Sequence, residues 1–152
     1  MASSQYAMIL KDLETIFKCP LTIDSNNSCL INLNKLGIKV QVEENRYGDL
    51  MIAVRLGVIP GSRYRDNLFK EALKSNRTNP STGVFGFSKL NSDLVVFLIV
   101  NKRAALIDNF NTILPPFLEK AKKWAEAIEQ GTIPLREEVS KPTDLGIFGM
   151  VR

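Results

Sequence analysis

Histidine is absent from all 152 residues. Without it the chain loses the commonest general base and the commonest metal ligand, and no Ser-His or Cys-His nucleophile pair can form. Cysteine is scarce: Cys19 and Cys29 are the only two. Two thiols without an imidazole cannot complete an ordinary structural zinc site, and they are too few for a disulfide framework. Both are expected to be reduced, small core residues in a cytoplasmic protein. Long apolar runs are missing as well. The longest, Leu94 to Val100, has the length of a strand, far short of the roughly 20 residues of a membrane-spanning helix. The first residues show no basic stretch leading into an apolar one, and Asp12 and Glu14 interrupt the first apolar pattern, so no signal peptide is expected. No glycine-rich phosphate loop occurs either, since Gly57-Val58-Ile59-Pro60-Gly61-Ser62 lacks the lysine and the spacing.

Tight carboxylate neighbours are limited to Glu43-Glu44 and Glu137-Glu138. Adjacent residues of a strand point to opposite faces, so Glu43 and Glu44 are badly placed to share a proton. Carboxylate or lysine chemistry alone stays open to such a chain. The expectation is therefore a binding protein, not an enzyme, with no cofactor and no metal.

What is present is globular in kind. Hydrophobic residues make up 45% and charged residues 24%, and the length suits one domain with a real core. Tyr6, Ile9, Leu10, Leu13, Ile16 and Phe17 recur at helical spacing over residues 4–18, with Ser3 or Ser4 as N-cap and Pro20 as the stop. Three strands should follow, at Cys29 to Leu33, Ile38 to Glu43 and Leu50 to Leu56. The second alternates perfectly and so has one buried face. Ser62 can cap a second helix through about Ser75, whose stripe is Tyr64, Leu68, Phe69, Ala72 and Leu73. Val84–Ser88 and Leu94–Val100 read as two more strands. The seven consecutive apolar residues of the latter call for cover on both faces. Leu106, Phe110, Ile113, Phe117, Ala121, Trp124 and Ile128 keep one helical phase through Pro115-Pro116, which favours one kinked helix over two, with Gly131 as its stop. The order α-β-β-β-α-β-β-α predicts an α+β sandwich, a mainly antiparallel sheet covered by helices, over residues 1–131. Residues 132–152 form an extended tail that nevertheless ends on Ile147-Phe148-Gly149-Met150-Val151. So apolar a sheet exceeds what three helices hide, and dimerisation answers the surplus.

The element order resembles the CesT/SycE-type family of type III secretion chaperones. The likeness is carried by the first amphipathic helix, by Leu68-Phe69-Lys70-Glu71-Ala72-Leu73-Lys74-Ser75-Asn76, by Gly83-Val84-Phe85-Gly86-Phe87, by the strand at 94–100 and by Phe117 and Trp124 in the last helix. It covers about residues 4–130, and the stretch 59–76 looks particularly like chlamydial members. The resemblance implies a cytoplasmic bacterial homodimer that binds the N-terminal segments of secreted effectors in extended form and hydrolyses no ATP. It implies cargo grooves around Leu10, Leu13, Phe17, Leu30, Leu33, Val40 and Val42. It places the dimer contact at Leu68, Phe69, Ala72, Leu73, Phe85, Phe87 and Phe97. Family members are usually acidic, whereas this chain carries a net charge of +4, which points to acidic or neutral cargo segments. The alternative is a small nucleic-acid-binding protein. Its basic second helix (Arg63, Arg65, Lys70, Lys74, Arg77) would grip phosphates, with Tyr64, Phe69, Phe85 and Phe87 for stacking. A solvated helix face is the plainer meaning of those charges.

Overall fold

A computed structural model describes residues 4–25, 27–101 and 107–134. Three helices and five strands follow in the expected order: α1 Ser4–Phe17, β1 Ser28–Leu33, β2 Ile38–Glu44, β3 Leu50–Val58, α2 Arg63–Thr78, β4 Val84–Ser88, β5 Asp93–Val100 and α3 Ile107–Gln130, with a 3-10 turn at Pro80–Thr82. The strands form one sheet in the order β1-β2-β3-β5-β4, every neighbour antiparallel. This is the α+β fold expected. Leu106, Ser3 and the tail beyond Pro134 lie outside the described residues.

Register follows from alternation. Cys29 and Ile31 face Val42 and Val40, which continue across β3 into Ile52 and Val54, then Val96 and Phe85. These side chains share one face and are buried beneath Tyr6, Ile9, Leu10 and Leu13 of α1 and Phe110, Leu114, Phe117, Ala121 and Trp124 of α3. A one-residue slip would turn the whole set outward, so burial fixes the pairing. A bulge between Arg55 and Gly57 lets β3 run to Val58, past the alternating stretch that ends at Leu56. There the exposed Arg55 pairs with the buried Asp93 carboxylate.

Helix ends obey local chemistry. The Ser62 hydroxyl accepts the Arg65 amide and caps α2, as expected, although the helix continues to Thr78. Helix α3 runs through Pro115 and Pro116 as one segment. A proline has no amide hydrogen to donate to the carbonyl four residues back. Asn111, Thr112, Pro115 and Pro116 all lie on the solvent-exposed side of the helix. The opposite face keeps Phe110, Leu114 and Phe117 inside.

Strand β5 departs from expectation. Its inner residues Leu94, Val96 and Val100 are buried, but Ile99 is 56% exposed. Among the described residues no helix covers the face carrying Val95, Phe97 and Ile99.

Candidate functional site

The sheet has two edges, and they differ. Strand β1 forms one edge with no further strand beside it among the described residues. The segment leading into it is held in place by side chains. The Glu14 carboxylate accepts the Leu21 amide at 3.1 Å, and Asp24 accepts the Ser28 amide at 2.9 Å. The Ser28 hydroxyl in turn donates to Glu43 at 2.9 Å, fastening β1 to β2. Ile16, Phe17, Cys19, Leu21, Leu33 and Leu36, from the end of α1, the segment after it, β1 and the β1–β2 turn, are all partly buried against the core. Leu30, on the other face of β1, is 65% exposed, and Ile23, in the segment before β1, and Met8 of α1 are exposed as well. Both backbone groups of Ser28 are bonded to Asp24, while the rest of β1 has β2 as its one strand neighbour among the described residues.

Tyr6 anchors this region from below. Its hydroxyl lies 2.7 Å from the carbonyl oxygen of Asn27 and 3.1 Å from that of Val42, and it donates to these acceptors. Burial, reinforced by the charges of Cys29, Glu43 and Asp24, pushes its pKa up to about 12. The unfolded phenol titrates near 10. The folded state thus holds its proton longer, so this stabilisation is complete below pH 10 and lost as pH rises through about 12. We expect chemical denaturation midpoints to fall across that window, and Tyr6→Phe to flatten the fall while costing about 1 kcal/mol at neutral pH. An unchanged alkaline profile in Tyr6→Phe would refute the assignment.

The β4 edge is not free in the same way. The Asn76 side chain of α2 accepts the Phe85 amide at 2.7 Å and donates to the Phe85 carbonyl at 3.1 Å, imitating a paired strand. Phe69 of α2 meets Phe87 edge-on with centroids 4.9 Å apart, and Phe85 packs on Trp124 at 4.2 Å. Lys120 is only 2% exposed. Its ammonium donates to the Gly83 carbonyl at 2.8 Å, the Thr82 hydroxyl at 3.1 Å and the Asn79 carbonyl at 3.3 Å. It thereby ties α3 to the turn before β4. Leu73 projects outward from α2, 68% exposed.

The expected site residues divide accordingly. Leu10, Leu13, Val40 and Val42 are buried in the chain's own core. Phe17 and Leu33 are half-buried at the β1 edge, and Leu30 is exposed. Of the residues assigned to subunit contact, Leu68, Ala72 and Phe85 are internal, Phe69 and Phe87 half-buried, and Leu73 exposed. Phe97 lies apart from them on the opposite face, aligned with Ala53 and Val84. Leu21 and Leu36, partly buried against the core, escape the sequence reading because each sits in a connecting segment without periodicity. Part of the surface named for the nucleic-acid alternative is engaged within the chain, while Arg63, Lys70 and Arg77 are exposed. Arg65 is spent on the Ile59 carbonyl and the Phe87 ring, Lys74 on Glu71, and the aromatic rings on one another.

A family model described as Tir chaperone protein (CesT) matches residues 8–125. The chain belongs to the CesT family. The match takes in the β1 edge, α2 and most of α3, so the two edges just described are parts of a family architecture. Solved structures share the fold at low identity. The HopA1–SchA chaperone–effector complex contains a chain that is 14% identical with a TM-score of 0.65, the match covering 81% of this chain and 94% of that one. The Yersinia pestis type III secretion chaperone SycH, solved with a fragment of YscM2, gives 14% identity and 0.60, covering 76% and 96%. The ExoU–SpcU complex from the type III secretion system of Pseudomonas aeruginosa gives 17% and 0.62, covering 81% and 99%. No curated protein sequence matches the chain significantly. Among the described residues no helix is long and apolar enough to cross a membrane, and no three metal-ligating side chains converge.

Proposed function

We propose that this CesT-family protein is a type III secretion chaperone that holds the N-terminal segment of an effector in extended form at its β1 edge. The observation that carries this reading is the open edge of β1, together with the half-buried Phe17, Leu21, Leu33 and Leu36. A cargo strand added there gains main-chain hydrogen bonds that are indifferent to sequence, while the rim selects apolar side chains at alternate positions. The neighbouring structures hold effectors or other type III proteins as partners, which supports the same class of cargo. The protein acts by binding, in the bacterial cytoplasm where effectors await export, and it performs no catalysis.

The chaperone works as a homodimer joined across α2 and β4, with Leu73 as the exposed apolar anchor and Phe69 and Phe87 beside it. The likeness of residues 59–76 to chlamydial members is a finer reading that rests on sequence alone. Light scattering of the protein co-expressed with an effector N-terminal segment is expected to give two chaperones per cargo. Leu73→Glu is expected to leave the chaperone a folded monomer. A monomeric wild type that binds oligonucleotides with steep salt dependence would overturn the reading.

A further inference from the structure

Backbone geometry sets how much of the β1 edge an added strand can use. Residues along a strand turn their N–H and C=O to alternate sides, so every second residue of an edge faces outward. Asp24 shows which ones these are. Its carboxylate accepts the Ser28 amide at 2.9 Å, and its own amide donates to the Ser28 carbonyl at 2.9 Å. The backbone groups of Ser28 therefore point away from β2, and those of Leu30 and Asn32 point the same way. Cys29, Ile31 and Leu33 turn theirs inward to Val42, Val40 and Ile38. The Leu33 carbonyl agrees with this parity, since it takes the Leu36 and Gly37 amides inside the β1–β2 turn.

Asp24 thus stands where a residue of an added strand would pair with Ser28, and it is held there. Asn27, in the left-handed region at φ +61°, donates to the Asp24 carbonyl at 3.1 Å and closes the turn. A hydrogen bond to a carboxylate is stronger than a neutral one. An incoming main chain has only neutral partners to offer Ser28, so it gains nothing by displacing Asp24. Beyond this stop, the side chains set the chemistry. Leu30 and Asn32 both stand exposed on the face away from the helices. Residues paired with them share that face and lie directly opposite. The residue between those two turns to the covered face, beside the buried Ile31.

We propose that Asp24 ends the cargo strand, confining its main-chain pairing to Leu30 and Asn32. The cargo that fits is a short extended segment, apolar opposite Leu30, apolar opposite Ile31 and polar opposite Asn32, whose chain leaves the sheet before Ser28. This rests on the reading of β1 as the cargo edge and adds the register and length of the pairing. Each of the two residues offers one N–H and one C=O. So few main-chain bonds hold a cargo weakly, and its apolar side chains carry the affinity.

The test needs no effector. A probe peptide, Cys-Gly-Gly-Thr-Val-Val-Val-Thr-amide, is joined by a disulfide to Asn34→Cys in the full chain with Cys19→Ser. Residue 34 is exposed in the turn directly after β1, and the peptide is long enough to run back antiparallel as far as Ser28. Amide exchange is followed residue by residue by NMR, against the same chain carrying Cys-Gly-Gly-amide alone. The peptide is expected to slow Leu30 and Asn32 at least tenfold and to leave Ser28 unchanged within twofold. Asp24→Gly should let the slowing reach Ser28, whereas Asp24→Asn, whose side-chain oxygen still accepts, should keep the limit. Slowing at Ser28 with Asp24 in place, or no extension to Ser28 in Asp24→Gly, would overturn the stop while leaving β1 as the edge. No slowing anywhere along β1 would remove the edge itself, and with it both this proposal and the cargo reading.

Discussion

Gly83→Ala is expected to cost about 3–5 kcal/mol, a large share of the roughly 5–15 kcal/mol that keeps a domain folded. Gly83 has φ +127° and ψ 145°, a conformation open only to glycine, and an L side chain there costs about 1–3 kcal/mol. A Cβ would also stand 2.8 Å from a Val96 methyl and 3.0 Å from the Phe117 ring, both in the core. Neither can move far, because Phe117 is fully buried and Val96 lies in the sheet. Overpacking of this kind typically adds about 1–3 kcal/mol. Any backbone shift would also disturb the carbonyl that receives the buried Lys120 ammonium. Urea denaturation of Gly83→Ala beside Gly61→Ala, whose Cβ would meet nothing closer than 3.7 Å, checks this. A loss below 1 kcal/mol at Gly83 would contradict the close approach of α3 to this turn.

The second large effect concerns binding. Phe17→Ala with Leu33→Ala is expected to weaken effector-segment affinity by about 100-fold or more, as two anchors near the centre of an interface each contribute on the order of 2 kcal/mol. Both side chains are half-buried, so the fold survives their truncation. Leu13→Ala supplies the contrast. Leu13 is fully buried, and its loss should cost about 2–5 kcal/mol of stability while leaving the affinity of the folded molecules nearly intact. Calorimetric titration on the three proteins separates groove from core. Equal affinity for the double variant and wild type would remove the groove from this place.

Element order, the antiparallel sheet and the uninterrupted last helix were legible because each rests on local periodicity. The Pro115-Pro116 pair reads correctly once phase outranks the helix-breaking reputation of proline, since both fall on the solvent side. What alternation could not reveal is the identity of the cover. Val40 and Val42 announce a buried face, but only the packed structure shows α1 and α3 over it. Phe97 looked equivalent to Phe85 because strand parity cannot be compared between strands whose register is unknown. Leu21 and Leu36 escaped notice in irregular segments. Lys120 reads as a surface lysine on an amphipathic helix, and nothing local announces the three oxygens that enclose it. The free edge of β1 is a property of topology, visible only once β1 is known to have a single neighbour.

Hydrogen exchange of the chaperone with and without an effector N-terminal segment tests the central claim most directly. Cargo is expected to slow exchange of the outward amides of residues 29–33 at least tenfold, with β4 little changed because Asn76 already occupies its edge. Protection confined to β4 or to α2, with β1 exchanging as in the free protein, would contradict cargo addition at the β1 edge.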